Sequence, residues 1–193
     1  EAGPRREAES SFITIQERAM GESPPINFAT QMAVYISDPM ARSAIDFLAE
    51  QVAGPGFYTT AEDEKAKGVV DDFNAHVGMD EMLVGTAREV IGFGNCFWER
   101  GEGGVKLLPI LGIERIDRTP QGVVRGYKQT SSYGGKTLEP GKVVHFRWNP
   151  VNGAAFGSGL LRSLCEGLRI GNGETRLCFA EMKARMQKAM IEQ

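Results

Sequence analysis

The stretch 143–164, VVHFRWNPVNGAAFGSGLLRSL, constrains this chain more than any other. Its first six residues are β-rich, and their alternation puts Val143, His145 and Arg147 on one face and Val144, Phe146 and Trp148 on the other. Asn149-Pro150 ends that strand, because proline brings no N–H to a ladder and turns the residue before it away from helix. A loop containing Gly153 and Gly157 follows, and Ser158 is expected to cap a helix with its hydroxyl. Whatever the remainder folds into has to accommodate a strand, a glycine loop and a helix start in immediate succession.

A glycine loop before a helix invites a phosphate-binding reading, since a helix N-terminus presents free N–H groups. The spacing argues against it. A P-loop needs Gly-Lys-Ser/Thr at its end, and this loop runs Gly157-Ser158-Gly159-Leu160 with no lysine. The dinucleotide pattern fails too, because Arg162 stands where its last glycine belongs. A small-ligand or nucleotide-binding α+β enzyme using the Gly153–Gly159 loop is therefore the second reading of the chain.

The 193 residues are 41% hydrophobic and 24% charged, enough to bury one sizeable core and leave an arm. The net charge of −3 argues against a free-standing domain held on DNA by phosphate contacts. No apolar run is long enough to span a bilayer, so no membrane partner is expected. Cys96, Cys165 and Cys178 follow no metal or redox spacing and read as buried thiols. The chain starts at Glu1 and stops inside a helical pattern, so it is expected to be part of a longer protein.

In order, residues 1–25 read as an extended N-terminal arm, polar and proline-bearing, and 26–36 as a transition holding at most a short helix. A helix capped by Ser37 or Asp38, with Pro39 first, carries Ala41, Ala44, Ile45, Leu48 and Val52 inward and stops at Gly54-Pro55-Gly56. Phe57 to Thr60 reads as a short strand. Two more helices follow, one with Ala66, Val69, Val70, Phe73 and Val77 on a single face, the next starting at Asp80 with Leu83, Ala87, Val90 and Ile91 inward. From Asn95 the pattern changes to hairpins: 96–100 with 105–108, and 113–118 with 123–129, before 143–148 closes one antiparallel sheet. The expected class is α+β: amphipathic helices, then a sheet, then a long C-terminal helix over 158–193. The same division gives three parts, 1–25, 26–157 and 158–193.

The succession of these pieces resembles the portal proteins of tailed bacteriophages. Ala41 to Phe57 (ARSAIDFLAEQVAGPGF) resembles their early helix, and Gly94-Asn95-Cys96-Phe97-Trp98-Glu99 the strand after it. Leu108 to Leu111 with Glu114-Arg115-Ile116, Gly122 to Gln129, and Gly141 to Arg147 stand in the places of the following strands. Phe156-Gly157-Ser158 opens the last helix, departing from the family where Gly159-Leu160-Leu161 replaces its usual Ser-Pro-Leu. The resemblance runs from Ser37 to Leu164. It implies the wing of a portal subunit and the start of its stem: a non-enzymatic virion protein without cofactor, forming a homo-oligomeric ring of twelve at the capsid vertex. Such a ring is the channel for double-stranded DNA in packaging and ejection, and it meets terminase, capsid and head-completion or tail proteins. A channel that lets DNA slide suits an acidic or mixed surface, with which the net charge agrees.

The side chains themselves offer little catalytic chemistry. His145 has no Asp, Glu or Cys at ligand spacing and reads as a structural histidine; His76 reads as a solvated residue favoured by a helix C-terminus. Cys96 lacks a histidine partner. Glu62-Asp63-Glu64 and Asp71-Asp72 read as a helix start and a solvated face, and Met182, Met186 and Met190 as a packing stripe. One charge pattern remains. Arg162, Arg169, Arg176 and Lys183 recur every seven residues on a segment with six Lys/Arg against four Asp/Glu. These four are the candidate contacts to a neighbouring subunit or to DNA, against a plainer reading as a solvated face. Gly167, Gly171 and Gly173 weaken that helix and predict a kink.

Overall fold

The computed structural model describes residues 21–169, with five helices and two small antiparallel sheets among them. The first four helices each start on a residue whose chemistry explains it. Helix α1 (Phe28–Ser37) is capped by Asn27, whose side chain accepts from the Ala29 N–H at 2.7 Å. Asp38 then caps α2 (Pro39–Ala53), accepting from Met40 and Ala41, with Pro39 in the first turn where its missing N–H costs nothing. Asp63 caps α3 (Glu64–Val77) through the Lys65 N–H at 2.9 Å. Gly78, at φ +63°, ends α3 and launches α4 (Met79–Phe93) in a left-handed conformation that suits glycine.

The first sheet has the order β2-β1-β6, built from β1 (Asn95–Gly101), β2 (Gly104–Leu108) and β6 (Val143–Arg147). The second has the order β3-β4-β5, from β3 (Ile113–Arg118), β4 (Val124–Gln129) and β5 (Thr137–Leu138). The expected single sheet is thus two, because β6 crosses over to pair with β1 and leaves the second hairpin to pair with β5. Helix α4 covers one face of the first sheet, and the second sheet lies on the other. Helix α5 (Leu160–Arg169) packs on α1 and α4, burying Leu161 and Cys165.

This layering settles a question the sequence posed about Phe97 and Trp98, which point to opposite faces of β1. Both rings are buried, at 0% and 9% exposure. Phe97 stacks on His145 at 4.2 Å and meets Tyr127 edge-on at 5.9 Å. Trp98 turns to α4, where its indole N–H donates to Thr86 Oγ1 at 2.8 Å. Phe28, Phe93 and Phe156 continue the core from the Phe97 side.

Several expectations need correction. Phe57 to Thr60 forms no strand, because no described strand lies beside it; Thr59 Oγ1 accepts instead from Asn74 Nδ2 in α3. Ser158 is not the cap of α5. That helix starts at Leu160, and the Ser158 backbone N–H donates to the Trp148 carbonyl at 2.8 Å. The inward stripes are only partly inward: α2 buries Ile45 and Ala49 but leaves Val52 72% exposed, and α3 buries none of its residues fully.

The last residues of the expected arm are docked. Glu22 bridges Ile116 through both backbone hydrogen bonds, and its carboxylate holds Arg118 Nη1 at 3.3 Å and the Ala155 N–H at 3.0 Å. The rest of the arm, the segment after Arg169, the Met stripe and the kink glycines beyond Gly167 lie outside the described residues.

Phe97→Ala is expected to cost about 3–5 kcal/mol in urea or thermal unfolding. Trp98→Phe should cost about 1 kcal/mol by removing the donor to Thr86. Val69→Ala should stay within about 0.5 kcal/mol, since its side chain faces solvent.

Candidate functional site

The stretch that dominates the sequence is held in place by one buried amide. Asn95 opens β1 immediately after the helix-ending Gly94 and is 1% exposed. Its Nδ2 donates to the carbonyls of Phe93 at 3.0 Å and Gly157 at 3.3 Å. Its Oδ1 accepts from the Gly157 N–H at 2.8 Å and lies 3.1 Å from His145 Nε2. A carbonyl oxygen only accepts, so this network assigns the imidazole proton to Nε2. Burial, helped by the nearby Arg147 charge, pushes the His145 pKa down to about 3 and keeps the ring neutral. His145 is therefore the structural histidine its sequence context suggested, stacked between Phe97 and the strand junction.

Around this amide two pieces of backbone cross at close range. A Cβ on Gly94 would lie 2.4 Å from the Gly159 nitrogen, and one on Gly159 would lie 2.3 Å from the Gly92 carbonyl oxygen. A Cβ on Gly157 would collide with the carbonyl oxygens of Gly94 and Trp148. The Trp148 N–H donates to the Gly94 carbonyl at 2.9 Å across the same crossing. These glycines are present because chain approaches chain.

That use competes directly with a ligand cradle. The N–H of Ala154 goes to Val151, that of Ala155 to Glu22, that of Gly157 to Asn95 and that of Ser158 to Trp148. Phosphate cradles need such groups pointing outward and unpaired. The Gly153 carbonyl is also taken, by Arg118 Nη1 at 3.0 Å. The loop works as a structural junction.

Of the four candidate contact residues, Arg162 is half-buried on α5 and pairs with Glu166 one turn on, at 2.9 Å. Arg169 ends α5, and Arg176 and Lys183 lie outside the described residues. His76 is exposed in the last turn of α3, and Asp71 pairs with Lys67 at 2.9 Å. No group of three or more metal-ligating side chains occurs among the described residues. No helix among them is long and apolar enough to cross a membrane.

One ionisable cluster escaped the sequence reading. Glu89 on α4 lies largely buried beside Cys96, and its Oε2 has no hydrogen-bond partner. Burial raises its pKa to about 7, and hydrogen bonds from Cys96 and the Ile110 backbone offset this only in part. Burial also raises the Cys96 thiol, with the Glu89 charge adding to it, so the thiol is inert as a nucleophile. Glu89 sits among helix residues of ordinary polarity, and only the tertiary fold brings Cys96 and Ile110 over it. Asn95 was nearer to view: an asparagine directly after a helix-ending glycine marks a junction.

Asn95→Ala should cost about 2–4 kcal/mol by stranding the buried Gly157 N–H and the His145 donor, read as a lowered urea midpoint. For Glu89 the folded pKa is raised, so its share of stability is full below about pH 4.5 and is lost as pH rises through about 7. Glu89→Gln should therefore change little at pH 4 and stabilise by as much as about 3 kcal/mol at pH 8, measured by unfolding at both pH values.

No family model matches this sequence, and no curated protein does. Solved structures do. The fold matches a chain from the neck of an empty gene transfer agent particle, computed with C6 symmetry, at TM-score 0.61 and 18% identity over 84% of this chain and 48% of that one. It also matches a chain from the virion of a native gene transfer agent particle at TM-score 0.62 and 14% identity, over 88% of this chain and 51% of the other. The chain thus spans about half the length of the solved chains it matches, and shares with them its α+β fold.

Proposed function

We propose that this chain is the wing and stem start of a portal-type subunit, a structural component at the head–tail vertex of a tailed-phage-like particle. The observation that carries the reading is the fold shared with chains of gene transfer agent necks and virions. The ordered likeness of residues 37–164 to portal wings, read from sequence alone, supports it independently. On this reading the subunit works in the virion as a closed ring of twelve and performs no catalysis. Double-stranded DNA passes through it during packaging and ejection, and terminase, capsid and head-completion or tail proteins dock on it. The sixfold symmetry of the matched neck is compatible with a count of twelve.

The site geometry fits a mechanical part. A ring that transmits force needs a stiff connection between wing and stem. The crossing of Gly94, Gly157 and Gly159, locked by Asn95, joins α4, β1 and the start of α5 in that way. Arg162, Arg169, Arg176 and Lys183 remain the candidates for contacts with DNA or with a neighbouring subunit. Disruption of the crossing by Gly157→Val is expected to abolish ring assembly as well as lower stability.

The deciding measurement is native mass spectrometry and electron microscopy of the full-length parent polypeptide at several salt concentrations. Closed rings are expected. A strictly monomeric parent at high concentration, with no ring in assembled particles, would overturn the reading.

A further inference from the structure

Two apolar surfaces remain uncovered, and the sheet order places them on opposite sides of β1. At the β2 edge, α3 packs against β2 and α4. There Val69 is 71% exposed, and the end of α2, which packs on α4, and the segment after it leave Val52 and Tyr58 at 72% and 87%. At the other edge β6 pairs only with β1 among the described strands, and Val144, Trp148 and Val151 are 38%, 43% and 51% exposed. Large apolar side chains left in solvent at the end of an element are candidates for an interface.

The stretches of chain that carry these two surfaces have opposite formal charge. From Glu50 to Glu81 there are eight Asp/Glu against two Lys/Arg, a formal charge of −6. From Ile113 to Arg169 there are nine Lys/Arg against four Asp/Glu, a formal charge of +5. Internal pairing leaves that contrast intact. Lys142, just before β6, and Arg147, at its end on the face opposite Val144, are exposed and have no carboxylate partner among the described residues. On the opposite side Glu50, Asp80 and Glu81 rim a groove of about 720 Å³ between the end of α2 and the start of α4, with Phe57 in its wall.

From this placement we infer that copies of the chain meet head to tail, the acidic apolar surface of α2–α3 on one copy seating the basic apolar edge of β6 on the next. Like faces would set carboxylate against carboxylate or cation against cation. Unlike faces pair both charge and apolar area, and a second copy is the one partner that brings both. Such a heterologous contact repeats around a ring when its rotation closes. The inference rests on the ring reading and adds to it which faces touch.

The test uses cysteine pairs in the full-length parent, with a short bismaleimide linker and denaturing gels after ring assembly. Val69→Cys with Trp148→Cys in the same chain should give a ladder reaching the full ring. The two single variants mixed should stop at dimers, and each alone should give no cross-linked product above that of the unmodified parent. In a second arm, Glu81→Arg should lower ring yield several-fold, and adding Arg147→Glu should restore it. A single variant that cross-links to itself, or rings that form while the double variant gives no ladder and the charge swap no rescue, would overturn the head-to-tail assignment and leave the ring reading standing. Absence of rings from the unmodified parent would overturn both.

Discussion

The Asn95 side chain is the interaction on which the architecture most depends. It ties the end of α4 and the start of β1, consecutive in the chain, to the loop before α5, 62 residues on, through hydrogen bonds made away from water. Buried amides left unpaired are costly, so only a fold that supplies all these partners tolerates an asparagine here. The surrounding glycines follow from the same constraint. With Gly157 hydrogen-bonded to the Asn95 side chain, the two backbones lie too close for any Cβ between them.

From that point the layering follows. Asn95 starts β1, the central strand of its sheet, so both faces of β1 need cover; α4 supplies one through Thr86 and the second sheet supplies the other through Tyr127. His145 belongs to this core, uncharged because it is buried near the Arg147 charge, with its Nε2 proton held by the Asn95 carbonyl oxygen. Glu89 is the less comfortable resident, a carboxyl shielded from water with one oxygen unpartnered. Its position costs stability once it ionises, and the structure offers no role that explains it.

What is well packed and what is left open divide along functional lines. The junction around Asn95 is dense and internally satisfied. The α2–α3 end and the β6 edge keep apolar side chains in solvent, which an isolated subunit gains nothing by doing.

The helices and hairpins were legible in the sequence because their signals are local. Asp38 and Asp63 cap, Pro39 starts, Gly78 and Gly94 stop, and the strand pairs alternate around glycine turns. The α+β class followed from the same local chemistry. Other features needed the tertiary structure, since they depend on partners distant in sequence. Periodicity marks an apolar face but not whether another element covers it, so the α3 stripe looked like core and is surface. Alternation marks two faces of β1 but not that both are buried. Ser158 had the chemistry of a helix cap, yet its backbone was drawn to Trp148 by a crossing that residues far upstream created. The division of one expected sheet into two was decided likewise, by β6 finding β1 across nearly fifty residues of chain, as the Phe97 and His145 pairing records.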